Sequence, residues 1–124
     1  MVSFSSRNPL SEWSRGRLVL LGDAAHPMLQ YAGQGAAQAI EDADALVAAY
    51  KKHGPQNIQT VFREYEQERI PRSSKVVQFA RDIGTFAHHD GMAKIARDAI
   101  LRRHNENNYN FLSWLYAEKQ HENE

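Results

Sequence analysis

The chain has 124 residues, which is one domain or part of one. Its 15 basic and 15 acidic residues balance, so no strong field points to nucleic acid or an anionic membrane as partner. It has no cysteine, which excludes a disulfide framework and a thiolate metal site. No apolar run approaches the roughly 20 residues of a membrane span, and "MVSFSSRNPL" lacks the apolar core of a signal peptide. A soluble, cytoplasmic protein is the expectation.

In chain order, "RLVLLG" (Arg17 to Gly22) comes first. It is a short apolar run bounded by "SRG" and "GD", the pattern of a strand buried on both faces in a parallel sheet. No second strand is legible downstream, so its sheet is expected to lie elsewhere. Residues 34–53 predict a helix, with Ala36, Ile40, Ala43, Val47 and Tyr50 forming one apolar stripe and Glu41, Asp42 and Asp44 off it. Gly54 and Pro55 end that helix. Asn57 predicts the cap of a second helix carrying Ile58, Val61, Phe62 and Tyr65, and Pro71 is expected to break or kink it. The helical pattern resumes over Lys75 to Phe86. Asp90 predicts the cap of a third helix, Gly91 to Arg103. "HNENNYN" reads as a polar break, "FLSWLYAEK" as a last aromatic segment, and "QHENE" as a frayed tail. The fold class expected is mainly α with one or few strands.

The chemistry concentrates in the loop after the strand. Gly22 permits a tight turn, and Asp23 follows at the carboxyl end of the strand, where ligands of open α/β sheets bind. A carboxylate there suits a sugar or polyol hydroxyl. Gly33 and Gly35 flank Gln34, and with Ala36 and Ala37 they let a flat ligand approach free backbone N–H groups at the helix start, where the helix dipole stabilises negative charge. Taken by itself, the same pattern also serves as an ordinary connection between packed elements. "GQGAAQ" lacks the third glycine of a dinucleotide-binding fingerprint and does not directly follow a strand.

The longer stretch "GDAAHPMLQYAGQGAAQAIEDADAL" resembles the second flavin-binding motif of the class A, FAD-dependent aromatic hydroxylases. Gly22, Asp23, Ala24, Ala25, His26, Gly33, Gly35, Glu41, Asp42 and Ala43 carry the match. "RNPLSEWSRGRLVLLGD" and "YEQERIPRSSKVVQ" also resemble segments of that family, so the similarity covers nearly the whole chain. Gln30 stands where the general pattern has proline, a variant similar to the 3-hydroxybenzoate 6-hydroxylase branch, as is the segment "HHDGMAKIARDAILRRHNENNYNFLSWLY". The family's amino-terminal strand, G-x-G-x-x-G and helix, and its substrate-domain sheet, have no counterpart in the chain. The resemblance therefore implies the C-terminal portion of an α/β, Rossmann-like flavoprotein. Residues 1–53 would complete the FAD-binding domain, and residues 54–124 would form a C-terminal helical segment.

The resemblance implies FAD as cofactor, NADH as co-substrate and O2 as oxidant, with a flavin hydroperoxide attacking a phenol ring. It implies 3-hydroxybenzoate as substrate and 2,5-dihydroxybenzoate as product, with salicylate and 6-hydroxynicotinate hydroxylases as the nearest alternatives. Asp23 would contact the ribityl or pyrophosphate region, and N–H groups near Gly35 to Ala37 the pyrimidine end of the flavin ring. Gln30 and Tyr31 would border the aromatic substrate, with Gln30 orienting its hydroxyl in catalysis or merely packing. A different outcome is a non-catalytic helical segment that self-associates, as a homo-oligomer, through its Ala-rich stripe and orphan strand.

His26 reads more readily as a loop hydrogen-bonding or packing residue than as a base. "HHD" at 88–90 lacks the i, i+3 or i+4 spacing of metal ligands on a helix, so no metal is expected. Glu41 and Asp42 are expected to pair with Arg69 or Arg72.

Overall fold

The computed structural model describes residues 8–103 and 112–116. Two short strands come first, β1 (Ser14–Arg15) and β2 (Leu18–Val19). They pair antiparallel, with Ser14 opposite Val19 and Arg15 opposite Leu18. The two-residue loop between them has Gly16 at φ 62° and Arg17 at negative φ, the pattern of a II′ turn, which glycine at its first central position favours. Two 3-10 turns follow, Gly22–Ala24 and Gln30–Ala32. Helix α1 (Gly35–His53) then leads through a 3-10 turn, Pro55–Asn57, into the long helix α2 (Ile58–Ala87). Helices α3 (Gly91–Arg103) and α4 (Ser113–Tyr116) complete the described elements. The chain divides into two compact units, Met1–Ala87 and His88–Glu124. "HNENNYN" and "QHENE" lie outside the described residues.

The mainly helical class is as expected, but the strand is not. Arg17 to Gly22 predicts one strand buried on both faces of a parallel sheet. The structure instead has a hairpin strand of two residues, with Leu18 78% exposed and Leu20 and Leu21 also exposed. Alternation along a strand gives the physical reason. Val19 turns inward against the helices, and among the described residues nothing covers the other face.

Helix α1 occupies the predicted span, yet its core face is a different one. Ala36, Ile40, Ala43, Val47 and Tyr50 are all exposed. The buried residues are Gln38, Asp42, Ala45 and Ala49, again at helical spacing. A stripe counted by apolarity misses this face because two of its four buried members are polar. They are buried because α2 supplies them with partners.

Helix α2 runs through Pro71 without interruption, so of the expected break or kink there is no break. Its buried residues, Val61, Phe62, Tyr65, Arg69, Ser73, Val76, Val77, Ala80 and Gly84, keep one helical stripe from end to end. Pro71 lies on the exposed side. Its missing N–H therefore leaves the carbonyl one turn earlier near water, and packing on both sides of the proline outweighs the local penalty. Asn57 also departs from its predicted role. Its side-chain amide donates to the His53 carbonyl at 2.8 Å, closing the end of α1 rather than capping the start of α2.

The core lies where the hairpin, α1 and α2 meet. Trp13, Ala25, Ala45 and Tyr65 form one cluster, and Ala49, Val61 and Phe62 another, bridged by Val19 and Leu46. Trp13 stacks obliquely on Tyr65, with ring centroids 5.5 Å apart. Glu66 accepts hydrogen bonds from the backbone N–H groups of Trp13 and Ser14, both at 2.6 Å. The fully buried Tyr65 donates its hydroxyl proton to the Leu20 carbonyl at 3.1 Å. Burial pushes that phenol well above its ordinary range.

Replacing Pro71 by alanine should restore a helical N–H on an exposed face. Pro71→Ala is expected to stabilise the chain by ~2 kcal/mol, the helix-interior penalty of proline less its stiffening of the unfolded chain. Urea unfolding reads this as a higher midpoint. An unchanged or lower midpoint would mean that the helix accommodates the ring without cost.

Candidate functional site

The candidate site begins where β2 runs out. Gly22 is buried at φ 60°, a conformation that side-chain-bearing residues rarely adopt. A Cβ there would also sit 3.2 Å from the Ala39 methyl on α1. The Gly22 carbonyl accepts from the backbone N–H groups of Ala25 and His26, both at 2.9 Å, which curls the chain into the first 3-10 turn. Asp23 points from this turn into solvent.

A second feature lies beside it. Gly33 adopts the left-handed conformation (φ 62°, ψ 20°), and α1 starts directly after Gln34. No side chain caps this helix end, and no acidic residue occupies its first turn. The N–H groups of Gly35, Ala36 and Ala37 precede the first intrahelical bond, from Gln38 N–H to the Gln34 carbonyl at 2.9 Å. A Cβ on Gly35 would lie 3.8 Å from an Asp23 carboxylate oxygen, so Asp23 and the start of α1 are neighbours. Exposed acceptors and unclaimed backbone donors thus stand side by side. Such a pair suits a ligand with hydroxyl groups and negative charge. Gln30 and Tyr31 sit on the second 3-10 turn, both exposed, and this turn packs against α2.

What holds these loops is a buried ionic network centred on Asp42. Asp42 is fully buried on α1 and accepts three hydrogen bonds: from the Gly22 N–H (3.0 Å), His26 Nε2 (2.5 Å) and Arg69 Nε (2.8 Å). Arg69, 2% exposed, also donates to Glu41 Oε2 at 2.6 Å and to the Gln38 side-chain oxygen at 2.8 Å. Arg72 adds two bonds to Glu41, at 3.2 Å each. The expected pairing of Glu41 and Asp42 with Arg69 or Arg72 is therefore present: both bind Arg69, and Glu41 also binds Arg72. His26 has the hydrogen-bonding role expected of it, with its ring 5.3 Å from the Trp13 ring. The burial of Gln38 and the reach of Asp42 back to Gly22 were not predicted. The signal available was two carboxylates on one predicted helix and two arginines beyond the next turn.

Burial alone would raise the Asp42 carboxyl. The hydrogen bonds from His26, Arg69 and Gly22 overcome that and hold it below the usual carboxylate range. Glu41 behaves likewise: burial opposes ionisation, and Arg72 and Arg69 more than reverse it.

A strand end, a glycine turn and an uncapped helix are thus tied together beneath the surface. The chain belongs to the FAD binding domain family, which residues 5–80 match, and within it to the class A FAD-dependent aromatic hydroxylases; the cofactor of that class is FAD. It is 37% identical over 114 residues to 3-hydroxybenzoate 6-hydroxylase 2 of Aquipseudomonas alcaligenes, covering 91% of this chain and 35% of that one. It is 50% identical over 80 residues to 6-hydroxynicotinate 3-monooxygenase of Pseudomonas fluorescens, covering 64% and 21%. It is 41% identical over 106 residues to 3-amino-4-hydroxybenzoate 2-monooxygenase of Streptomyces cremeus, covering 85% and 26%. The chain thus spans between 21% and 35% of the length of these relatives.

Removing Arg69 should strand Asp42 as an uncompensated buried charge. Arg69→Met is expected to cost about 3–5 kcal/mol in denaturant unfolding; a loss below about 1 kcal/mol would deny the network its role. Acid should act in the same direction. Because folding lowers both carboxyl pKa values, their stabilisation is complete above the unfolded range near ~4 and is lost as pH falls through the lower folded values. Thermal melts from pH 6 to pH 2 should show the wild type losing more Tm than an Asp42→Asn variant. Parallel losses would count against the assignment.

Proposed function

We propose that this chain forms the flavin-proximal part of a Rossmann-like aromatic hydroxylase, in which residues 1–53 complete the FAD-binding domain and residues 54–124 supply a helical segment. The favoured reaction is hydroxylation of 3-hydroxybenzoate to 2,5-dihydroxybenzoate with NADH and O2. The observation that carries it is the pairing of an exposed Asp23 with the uncapped first turn of α1. The residues fit the cofactor: the first-turn donors carry no side-chain cap, the space beside Gly33 is open, and the acceptor stands beside Gly35. FAD, when bound, supplies the redox chemistry with oxygen.

The chain's own residues bind, orient and stabilise charge. Asp23 would contact the ribityl or pyrophosphate region of FAD, accepting its hydrogen bond from a ribityl hydroxyl. The N–H groups of Gly35, Ala36 and Ala37 stabilise negative charge at the pyrimidine end, aided by the dipole of α1. Gln30 orients the phenolic hydroxyl through its amide, and Tyr31 borders the ring. Gly22, Gly33 and Gln34 give the backbone its course between these groups.

Two other readings each have an observation behind them. The higher identity to the 6-hydroxynicotinate enzyme, over a shorter span, favours a hydroxylated pyridine ring as substrate. The exposed Ile40, Val47, Tyr50 and Leu18 favour a non-catalytic, self-associating chain.

The test is a visible absorption spectrum of the purified protein, followed by FAD titration. A bound-flavin spectrum that shifts on adding 3-hydroxybenzoate is the expected result. No flavin uptake at saturating FAD overturns the reading for this chain. Asp23 is exposed and outside the buried network, so Asp23→Ala should leave the melting temperature within about 2 °C while weakening FAD about tenfold. Unchanged FAD affinity would remove Asp23 from the site.

A further inference from the structure

Gly84 poses a separate question. It lies inside α2, buried, where glycine is the least favourable residue after proline. Its backbone does not demand glycine, because its φ is not among the positive ones. The demand is steric and comes from one side chain. A Cβ on Gly84 would fall 2.6 Å from Cδ2 and 2.7 Å from Cε2 of Tyr31, and 3.5 Å from its Cγ. The Tyr31 ring therefore occupies the space that any other residue at position 84 would fill.

We propose that Gly84 is a positioning residue: by yielding its side-chain space it seats the Tyr31 ring against α2 and fixes the Gln30–Ala32 turn. The consequence reaches further along the chain. The Gln30 carbonyl accepts the Gly33 N–H at 2.9 Å, and Gly33 leads directly into the first turn of α1. Moving the ring moves Gln30 and the turn that carries it. Position 84 thereby sets how deeply an aromatic ring can enter beside Gln30 and Tyr31. This last step rests on the reading of those two residues as substrate-side groups.

The test is a double-mutant cycle with Gly84→Ala, Tyr31→Ala and the pair. Gly84→Ala should shift the backbone amide resonances of residues 30–33 and lower Tm by roughly 2–5 °C. In the Tyr31→Ala background the same change should raise Tm, because alanine is the better helix former once the ring is gone. If Gly84→Ala alone does not fold, a double variant that folds supports the proposal, and one that also fails overturns it. In flavin-loaded protein, Gly84→Ala should weaken 3-hydroxybenzoate about tenfold while FAD affinity changes less than about twofold. Tm rising in both backgrounds with the turn resonances unmoved overturns the proposal, as does retained substrate affinity in the loaded protein. Wild-type protein that takes up no FAD sinks the functional reading instead, and positioning is then decided by the resonances and the rescue.

Discussion

One carboxylate governs the architecture. Asp42 has no contact with water, and its charge is tolerated only because three donors converge on it. Those donors come from three places: the end of the strand, the loop behind it, and the second long helix. Removing any of them leaves a charge in a medium that disfavours charge. The pairing of α1 with α2 and the course of the Gly22–His26 loop are therefore a single constraint. A hydrophobic core of this size would tolerate small slips of one helix along the other. A charge bonded in three directions does not.

This arrangement frees the front of the site from structural duty. The N-terminus of α1 carries no side-chain cap, which ordinarily weakens a helix. Here the helix is held a turn and more further along, by Gln38, Glu41 and Asp42 through Arg69. Its first-turn amides can stay uncommitted. Small residues in this stretch, Gly33 to Ala37, follow the same logic: they contribute little packing and leave room for a ligand.

The extents of α1 and α3 were legible in the sequence, since helical periodicity and signals such as the Gly54-Pro55 stop survive in any context. Which face of α1 turns inward was not. Apolarity marks Ile40, Val47 and Tyr50, and these are exposed, while Gln38 and Asp42 are buried beside them. Apolar counting cannot value a buried ion pair, because the partner sits 27 residues away in sequence. The break at Pro71 is absent for a related reason: a local breaker is judged without knowing that buried residues on both sides will hold the helix. The loop from Gly22 to Ala37 was the most legible part. Its glycines mark backbone positions, and its short side chains mark open space. Gly84 was invisible, because nothing around it in sequence names Tyr31.

The Gly22 amide carries a further consequence. Its proton is given to a carboxylate that water does not reach, so it exchanges only when that bond opens. To release it, the loop must part from Asp42 at Oδ2, where His26 is bonded too, while Arg69 keeps its hold on Oδ1. Deuterium uptake at this one amide therefore reports how firmly the Gly22–His26 loop is tied to α1. The steadiness of the turn that presents Asp23 is thus set from beneath, by a side chain of the helix.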